Sequence, residues 1–313
     1  MTIQNIKTGS LSLAQICDSG QCFRMKKLNN GHFEIIARDR RVEVWHQDSE
    51  NSGRICFACE EQEYSDFWRG YFDIDTDTDY DMIRSMVDPE DVYLTAAVRE
   101  GSGIRILRQD LWEMIVTFLI SQQNNIPRIH KCIDNICMKY GEKVIAEGGG
   151  VYYAFPTPES MAGLNEDDLM PCNLGYRSKY VVRTAQSVAG GDIDLNEIRK
   201  MNYEDARNAL LQIYGVGAKV ADCICLFGLH HLDAFPVDTH IKQVLEREYA
   251  LHVAGSDAGT DTAAEKKASG RKGGSRKKKS MDIRSLSTFP FDRYSGYAGV
   301  MQQYIFYREL SDR

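Results

Sequence analysis

Lys219 and Asp238 are the residues whose type and surroundings most suggest chemistry. Lys219 stands two residues beyond Gly215-Val216-Gly217. Two glycines at that spacing permit a tight turn and leave N–H groups at the start of the next helix, where a phosphate oxygen is well received. An amine held beside a gripped phosphodiester can attack a sugar carbon, provided a carboxylate stabilises the positive charge that develops on the sugar. Asp238, nineteen residues on and just before a helix, supplies that carboxylate. Taken alone, Lys219 reads as a surface helix lysine and Asp238 as an N-cap ahead of Ile241. The capping and chemical roles of an aspartate are compatible, because a cap fixes the carboxylate's direction. Amines attack only once deprotonated, which burial and neighbouring positive charge favour.

Two kinds of element must position these groups. From about Gly31 to Ala58 apolar and polar residues alternate with β-branched enrichment, which predicts antiparallel strands and an N-terminal sheet domain. From Asp110 the signals turn helical: Asp110-Leu-Trp-Glu113 resembles a capping box, and further starts fall at Thr157-Pro158, Asn165 to Asp168, Asp194 to Glu197 and Asn202 to Asp205. Gly190-Gly191 and Gly215 punctuate helix ends. The expectation is an α+β protein, with an antiparallel sheet domain over 1–85 and a helical body without strands over 86–313. Asp73, Asp75, Asp77 and Asp79 mimic a calcium loop, but Thr78 and Arg84 occupy positions that need Gly and Glu. A solvated acidic turn ahead of a helix near Asp81 is expected instead.

At 313 residues and 43% hydrophobic content the chain can bury a full core. Its first residues lack an apolar segment and no run of about 18 apolar residues occurs, so neither secretion nor membrane insertion is indicated and a cytoplasmic location follows. Nine cysteines fit reduced thiols better than a disulfide framework. Cys56 and Cys59 form a lone C-x-x-C that reads as sheet residues rather than half a zinc site. Net charge is -7, yet eight of the positive charges crowd into Lys266 to Lys279, so the remainder is more acidic still. These cations lie in a Gly/Ser/Ala/Lys-rich insertion at about 252–284, expected to be disordered. It reads equally as a tethered polycation for nucleic acid and as a solvated insertion without consequence.

Val216-Gly217-Ala218-Lys219-Val220-Ala221-Asp222-Cys223, followed by Pro236-Val237-Asp238-Thr239-His240, resembles the helix-hairpin-helix DNA glycosylases with a Gly/Pro-rich loop and trailing Asp, and within them the 8-oxoguanine DNA glycosylase family. The likeness extends through Ser19 to Arg24, Ser121 to Arg128, Leu174 to Arg177 and Tyr297 to Phe306. No cysteine follows Cys225, which separates the chain from relatives that carry an iron–sulfur cluster there.

The resemblance implies a helix-hairpin-helix at about 203–228 and a bifunctional enzyme. Lys219 would displace the base and form an imine with the sugar, after which the 3′ phosphate leaves by β-elimination; Asp238 would stabilise the oxocarbenium-like transition state. Gly215, Gly217 and His240 would meet phosphates. Cys223, Phe227 and Phe306 would line the base pocket, with Gln302 reading the base's Watson–Crick edge. The Gly20 carbonyl would accept from the N7–H that oxidation gives guanine. One such contact is worth only about 1–3 kcal/mol, too little to reject a genome of normal guanines. An extruded base leaves a hole to fill and a partner to hold. By resemblance Tyr176 wedges into the stack while Arg177 and Arg128 hold the widowed cytosine. Gln123-Asn124-Asn125 departs from the run of three asparagines common in relatives, and Gln123 can still fill space.

The expected partner is double-stranded DNA containing an oxidised base, bound by a monomer with strongly salt-dependent affinity and without metal or organic cofactor. In a prokaryote the location would be nucleoid-associated. Two other readings use the same residues: a glycosylase for another oxidised base, and a silent helix-hairpin-helix module that only binds DNA. Lys219 and Asp238 together weigh against the silent module, which needs neither.

Overall fold

The computed structural model describes residues 2–49, 53–146, 150–250 and 287–311. The basic insertion anticipated at 252–284 falls outside them. Five antiparallel strands, β1 (Ile3–Lys7), β2 (Met25–Lys27), β3 (Phe33–Ala37), β4 (Arg40–His46) and β5 (Arg54–Ala58), form a sheet in the order β1-β5-β4-β3-β2. Alternation fixes its register: Phe33 faces Val44 and Ile35 faces Val42, all buried on one side. Helix α1 (Leu13–Asp18) precedes β2. A helical stretch of α2 (Glu61–Glu63), a π turn (Tyr64–Trp68) and α3 (Arg69–Tyr71) puts Tyr64, Trp68 and Tyr71 into the sheet's core. Strands β1 and β2 lie before the segment whose alternation signals strands. In β2, Met25 alone is buried beside two exposed lysines, so no pattern could develop.

The second apolar core belongs to the helices: α4 (Tyr80–Ser85), α5 (Val92–Glu100), α6 (Leu111–Ser121), α7 (Ile126–Tyr140), α8 (Pro158–Ala162), α9 (Ser178–Ala189), α10 (Leu195–Ile198), α11 (Tyr203–Leu210), α12 (Ala218–Gly228), α13 (Thr239–Glu248) and α14 (Ala298–Ser311). Every residue of α6 from Leu111 to Ile120 is buried, which makes it the central rod against which α7, α9 and α12 pack. Burying each large apolar side chain contributes about 1.5–3 kcal/mol. The starts expected at Asp110, Thr157, Asp194 and Asn202 are side-chain caps. Asn165 to Asp168 instead leads into a 3-10 turn, Asp167–Cys172, that contains Pro171. Proline has no amide hydrogen to donate, so an α-helix does not continue through it.

Two expectations are corrected. The helical body is not free of strands: β6 (Lys143–Ile145) and β7 (Val151–Tyr153) pair as a hairpin. It braces the two cores, since Tyr152 donates to the Asp39 carbonyl at 2.7 Å and the Phe155 amide to the Arg38 carbonyl at 3.1 Å. Three-residue strands are too short to show a period. The acidic turn is not wholly solvated either. Asp73 is fully buried and accepts from Arg108 Nε at 2.8 Å, Tyr80 Oη at 2.9 Å and Thr76 Oγ1 at 2.7 Å, with His230 Nε2 at 3.3 Å. Thr76 and Tyr80 are near in the chain while Arg108 and His230 are distant, and together these partners overcome the burial penalty and hold its carboxyl well below the usual range. Cys56, in β5, and Cys59 just past it are buried free thiols. Among the described residues no helix is long and apolar enough to cross a membrane.

Candidate active site

Helices α11 and α12 make the hairpin that carries the lysine. Asp222, one residue before Cys223, accepts from Tyr203 Oη at 2.8 Å and Arg207 Nε at 2.6 Å, which locks the two helices together. The turn between them needs its glycines for different reasons. Gly215 has φ +91°, and a Cβ there would lie 2.6 Å from the Tyr180 ring. Gly217 is the N-cap of α12 and supplies no side-chain acceptor, so the first-turn amides remain available at exposed Gly217 and Ala218. Asp238 starts α13, its carboxylate accepting from the Ile241 amide at 2.8 Å.

Between these two helix starts lies a narrow slot of about 40 Å³ lined by Gly20, Phe118, Lys219, Cys223, Phe227, Pro236, Asp238, Gln302, Gln303 and Phe306. Seven of the ten carry roles implied by the sequence. The slot adjoins a cleft of about 780 Å³ that shares Gly20, Lys219, Asp238 and Phe306 and adds Gln123, Asn124 and His240. Inside, Phe118 and Phe227 stack at 5.5 Å with 18° between planes, and Lys219 Nζ lies 5.5 Å from the Phe118 centroid. Burial pushes the Cys223 thiol up to about 11 despite contact with Lys219, so it stays protonated at neutral pH.

The opposite wall is the Ser19-Gly20 turn. Gly20 has φ +71°, and a Cβ would come within 3.0 Å of the Phe306 ring, so only glycine lets the turn and α14 approach this closely. Gln303 Nε2 donates to the Ser19 carbonyl at 2.5 Å, while Gln21 donates to the Arg105 carbonyl at 2.9 Å and accepts from the Leu107 amide at 2.9 Å. The turn is thereby tied from both sides. Gln302 Oε1 is buried in the slot with no partner among the described residues, an acceptor that awaits a donor.

Phe118, Pro236 and Gln303 are slot residues that the sequence reading missed. Inside α6, whose residues are nearly all buried, nothing in the sequence marks Phe118 as the ring that faces a cavity. Tyr176 and Arg177 lie in a 3-10 turn, Gly175–Arg177, just ahead of α9. Tyr176 is 46% exposed and its hydroxyl lies 3.3 Å from the Gln122 carbonyl and 3.4 Å from Gln123 Oε1. Arg177 is only 4% exposed; it donates to the carbonyls of Gln122, Gln123 and Leu174 and so shapes the loop that bears Gln123 and Asn124. Arg128 Nη2 reaches the Asn173 carbonyl at 3.3 Å. His240 sits 6.5 Å from the Phe306 ring, and Asn124 Nδ2 donates to the Ile120 carbonyl at 3.0 Å. No group of three His, Cys, Asp or Glu side chains arranged for a metal occurs among the described residues.

A sheet domain joined to a helix-hairpin-helix body, with an amine and a carboxylate sharing one slot, defines the class. Residues 3–115 match the model of the 8-oxoguanine DNA glycosylase N-terminal domain, and residues 116–269 that of the HhH-GPD superfamily of base excision DNA repair proteins. The chain belongs to the 8-oxoguanine DNA glycosylase family. It is 29% identical to an N-glycosylase/DNA lyase of Saccharomyces cerevisiae, across 97% of this chain and 85% of that protein. An 8-oxoguanine glycosylase/lyase of Clostridium acetobutylicum, solved in complex with dsDNA containing cytosine opposite to 8-oxoG, superposes with TM-score 0.80 at 32% identity, covering 100% of this chain and 98% of that one. MBOgg1 in complex with a low-affinity DNA ligand gives TM-score 0.82 at 30% identity, over 100% and 96%.

Proposed function

We propose that this protein is a monomeric DNA glycosylase with AP lyase activity that removes 8-oxoguanine opposite cytosine from duplex DNA, acting in the cytoplasm and, in a prokaryote, on the nucleoid. One observation carries the reading: Lys219 and Asp238 line a single slot together with Gly20, Gln302 and Phe306. The flipped base enters between the aromatic rings. The orphaned Oε1 of Gln302 accepts from the N–H groups of the base's Watson–Crick edge, and the Gly20 turn presents its carbonyl to the N7–H of the oxidised ring. Lys219 Nζ bonds to C1′ as the C1′–N9 bond breaks and its electron pair leaves with the base, which takes up a proton. Asp238, held in direction by its cap, stabilises the cationic sugar during that exchange. Loss of the Nζ protons and ring opening give an imine. Removing a C2′ proton then expels the 3′ phosphate, and water frees Lys219.

Gly215, Gly217 and His240 hold the backbone, Tyr176 and Gln123 fill the vacated stack, and Arg128 with Arg177 borders the opposite base. Borohydride trapping on duplexes with 8-oxoguanine opposite each of the four bases tests the whole. The wild type should form a covalent adduct most readily opposite cytosine, and Lys219→Gln should form none and release no base. Adduct formation by Lys219→Gln removes Lys219 from the mechanism, whereas trapping only with another lesion changes the substrate alone.

A further inference from the structure

A net charge of -7 is unusual for a chain that holds DNA, and the placement of its 45 acids resolves the difficulty. From Met114 to Ile133, from Leu169 to Gly191 and from Ala206 to Ala221 there is no Asp or Glu. These three stretches meet in space. Arg177 bonds the carbonyls of Gln122 and Gln123, Gln122 Nε2 donates to the Gly215 carbonyl at 3.0 Å, and Gly215 lies flat against the Tyr180 ring. Fold topology therefore gathers three acid-free stretches side by side in an acidic chain.

A ladder of tyrosines crosses these stretches. Tyr176 and Tyr180 meet edge to face at 5.8 Å, and Tyr180 and Tyr214 at 5.4 Å. Each ring has its own cation: Arg177 at 4.6 Å, Lys179 at 5.4 Å and Arg183 at 4.4 Å from the respective centroids. Arg177 is buried on carbonyls, but Arg183 is exposed, as is Tyr214 at 45%, and among the described residues no carboxylate pairs with Arg183. A guanidinium laid on a ring keeps its edge donors free and has already lost much of its rotamer freedom, which favours capture of a phosphate.

We propose that Arg183 and Tyr214 form a second seat for the DNA backbone, beside the hairpin amides. Arg183 takes a phosphate on the flank of the lesion and the Tyr214 ring packs on the adjoining sugar. Tyr214 immediately precedes Gly215, so this seat and the Gly215–Gly217 turn would engage neighbouring parts of the duplex. The inference rests on DNA being the partner. It places binding strength outside the slot, where it is indifferent to which base is flipped.

Fluorescence anisotropy on undamaged duplex over a salt series tests it in the full chain. Arg183→Gln should weaken binding about three- to tenfold and lower the slope of log affinity against log salt by about one, as expected when the protein neutralises one phosphate fewer. Arg183→Lys should keep most of the slope, and Tyr214→Ala should weaken binding with little change in slope. Thermal melts separate a seat from a mere brace between α9 and the hairpin. A lower melting temperature together with wild-type affinity and slope in Arg183→Gln overturns the seat alone. Absence of duplex binding by the wild type overturns both the seat and the proposed function.

Discussion

Helices α12 and α13 follow one another in the chain and begin in opposite ways. At Gly217 the start of α12 has no side-chain cap, and its positive end is left for an outside anion. At Asp238 the start of α13 is closed by its own carboxylate, accepting at 2.8 Å from Ile241. The same local physics thus serves two ends: one terminus has no side-chain acceptor, which under the proposed function leaves it for a phosphate, and the other aims an acid into the slot. Helix α6 offers a third version. Asp110 caps the Glu113 amide at 3.1 Å, but the Glu113 side chain does not complete the anticipated capping box. It turns inward to Arg24, 3.9 Å away, and burial pushes its carboxyl up to about 7, with Arg24 pulling down and Asp110 pushing up.

The largest effect should come from separating cap from charge at Asp238. Asparagine caps as well as aspartate, so Asp238→Asn should melt near the wild type while single-turnover base release falls by about 10²–10³. If both properties change together, or neither does, the two roles are not separable as argued. Next in size is Glu113. A carboxyl raised in the folded state binds its proton more tightly there than in the unfolded chain. Folding stability should therefore decline as pH climbs from 4.5 to about 7 and then level off, a contribution on the order of 3 kcal/mol. Denaturant melts across that range should lose this slope in Glu113→Gln; an unaltered slope would place the titration elsewhere. The smallest effect sharpens the contrast itself. Gly217→Asp should give α12 the cap that α13 already has, raising stability by a few tenths of a kcal/mol while weakening duplex binding about tenfold through charge at the anion seat. Wild-type affinity in that variant would mean that the α12 amides hold no phosphate.

Much of this site could be read in the residues because its parts are local. A Gly-x-Gly turn, a lysine two positions later and an aspartate before a helix each depend on neighbours within one turn, and the structure brings Lys219 and Asp238 to one slot. Gln302 and Phe306, four apart, share a helix face by geometry alone and both reach it. Harder to read were features made by contacts between distant segments. Asp73 reads as one of four solvated acids in the sequence, yet the distant Arg108 and His230 close around it. The β6–β7 hairpin was missed because three-residue strands carry almost no periodic signal, and Gln303 because its partner, the Ser19 carbonyl, lies 284 residues away.

Sequence by itself determined most of the expected helix starts, the alternation of the central strands and the two side chains proposed for the chemistry, through backbone sterics, capping, a period of two or four residues and a family resemblance. Tertiary structure alone decided which ring of α6 faces the slot, which acid is buried, and that three acid-free stretches lie side by side. The reason is physical: burial and electrostatic fields depend on what the fold places opposite a residue, and that neighbour is seldom near it in the chain.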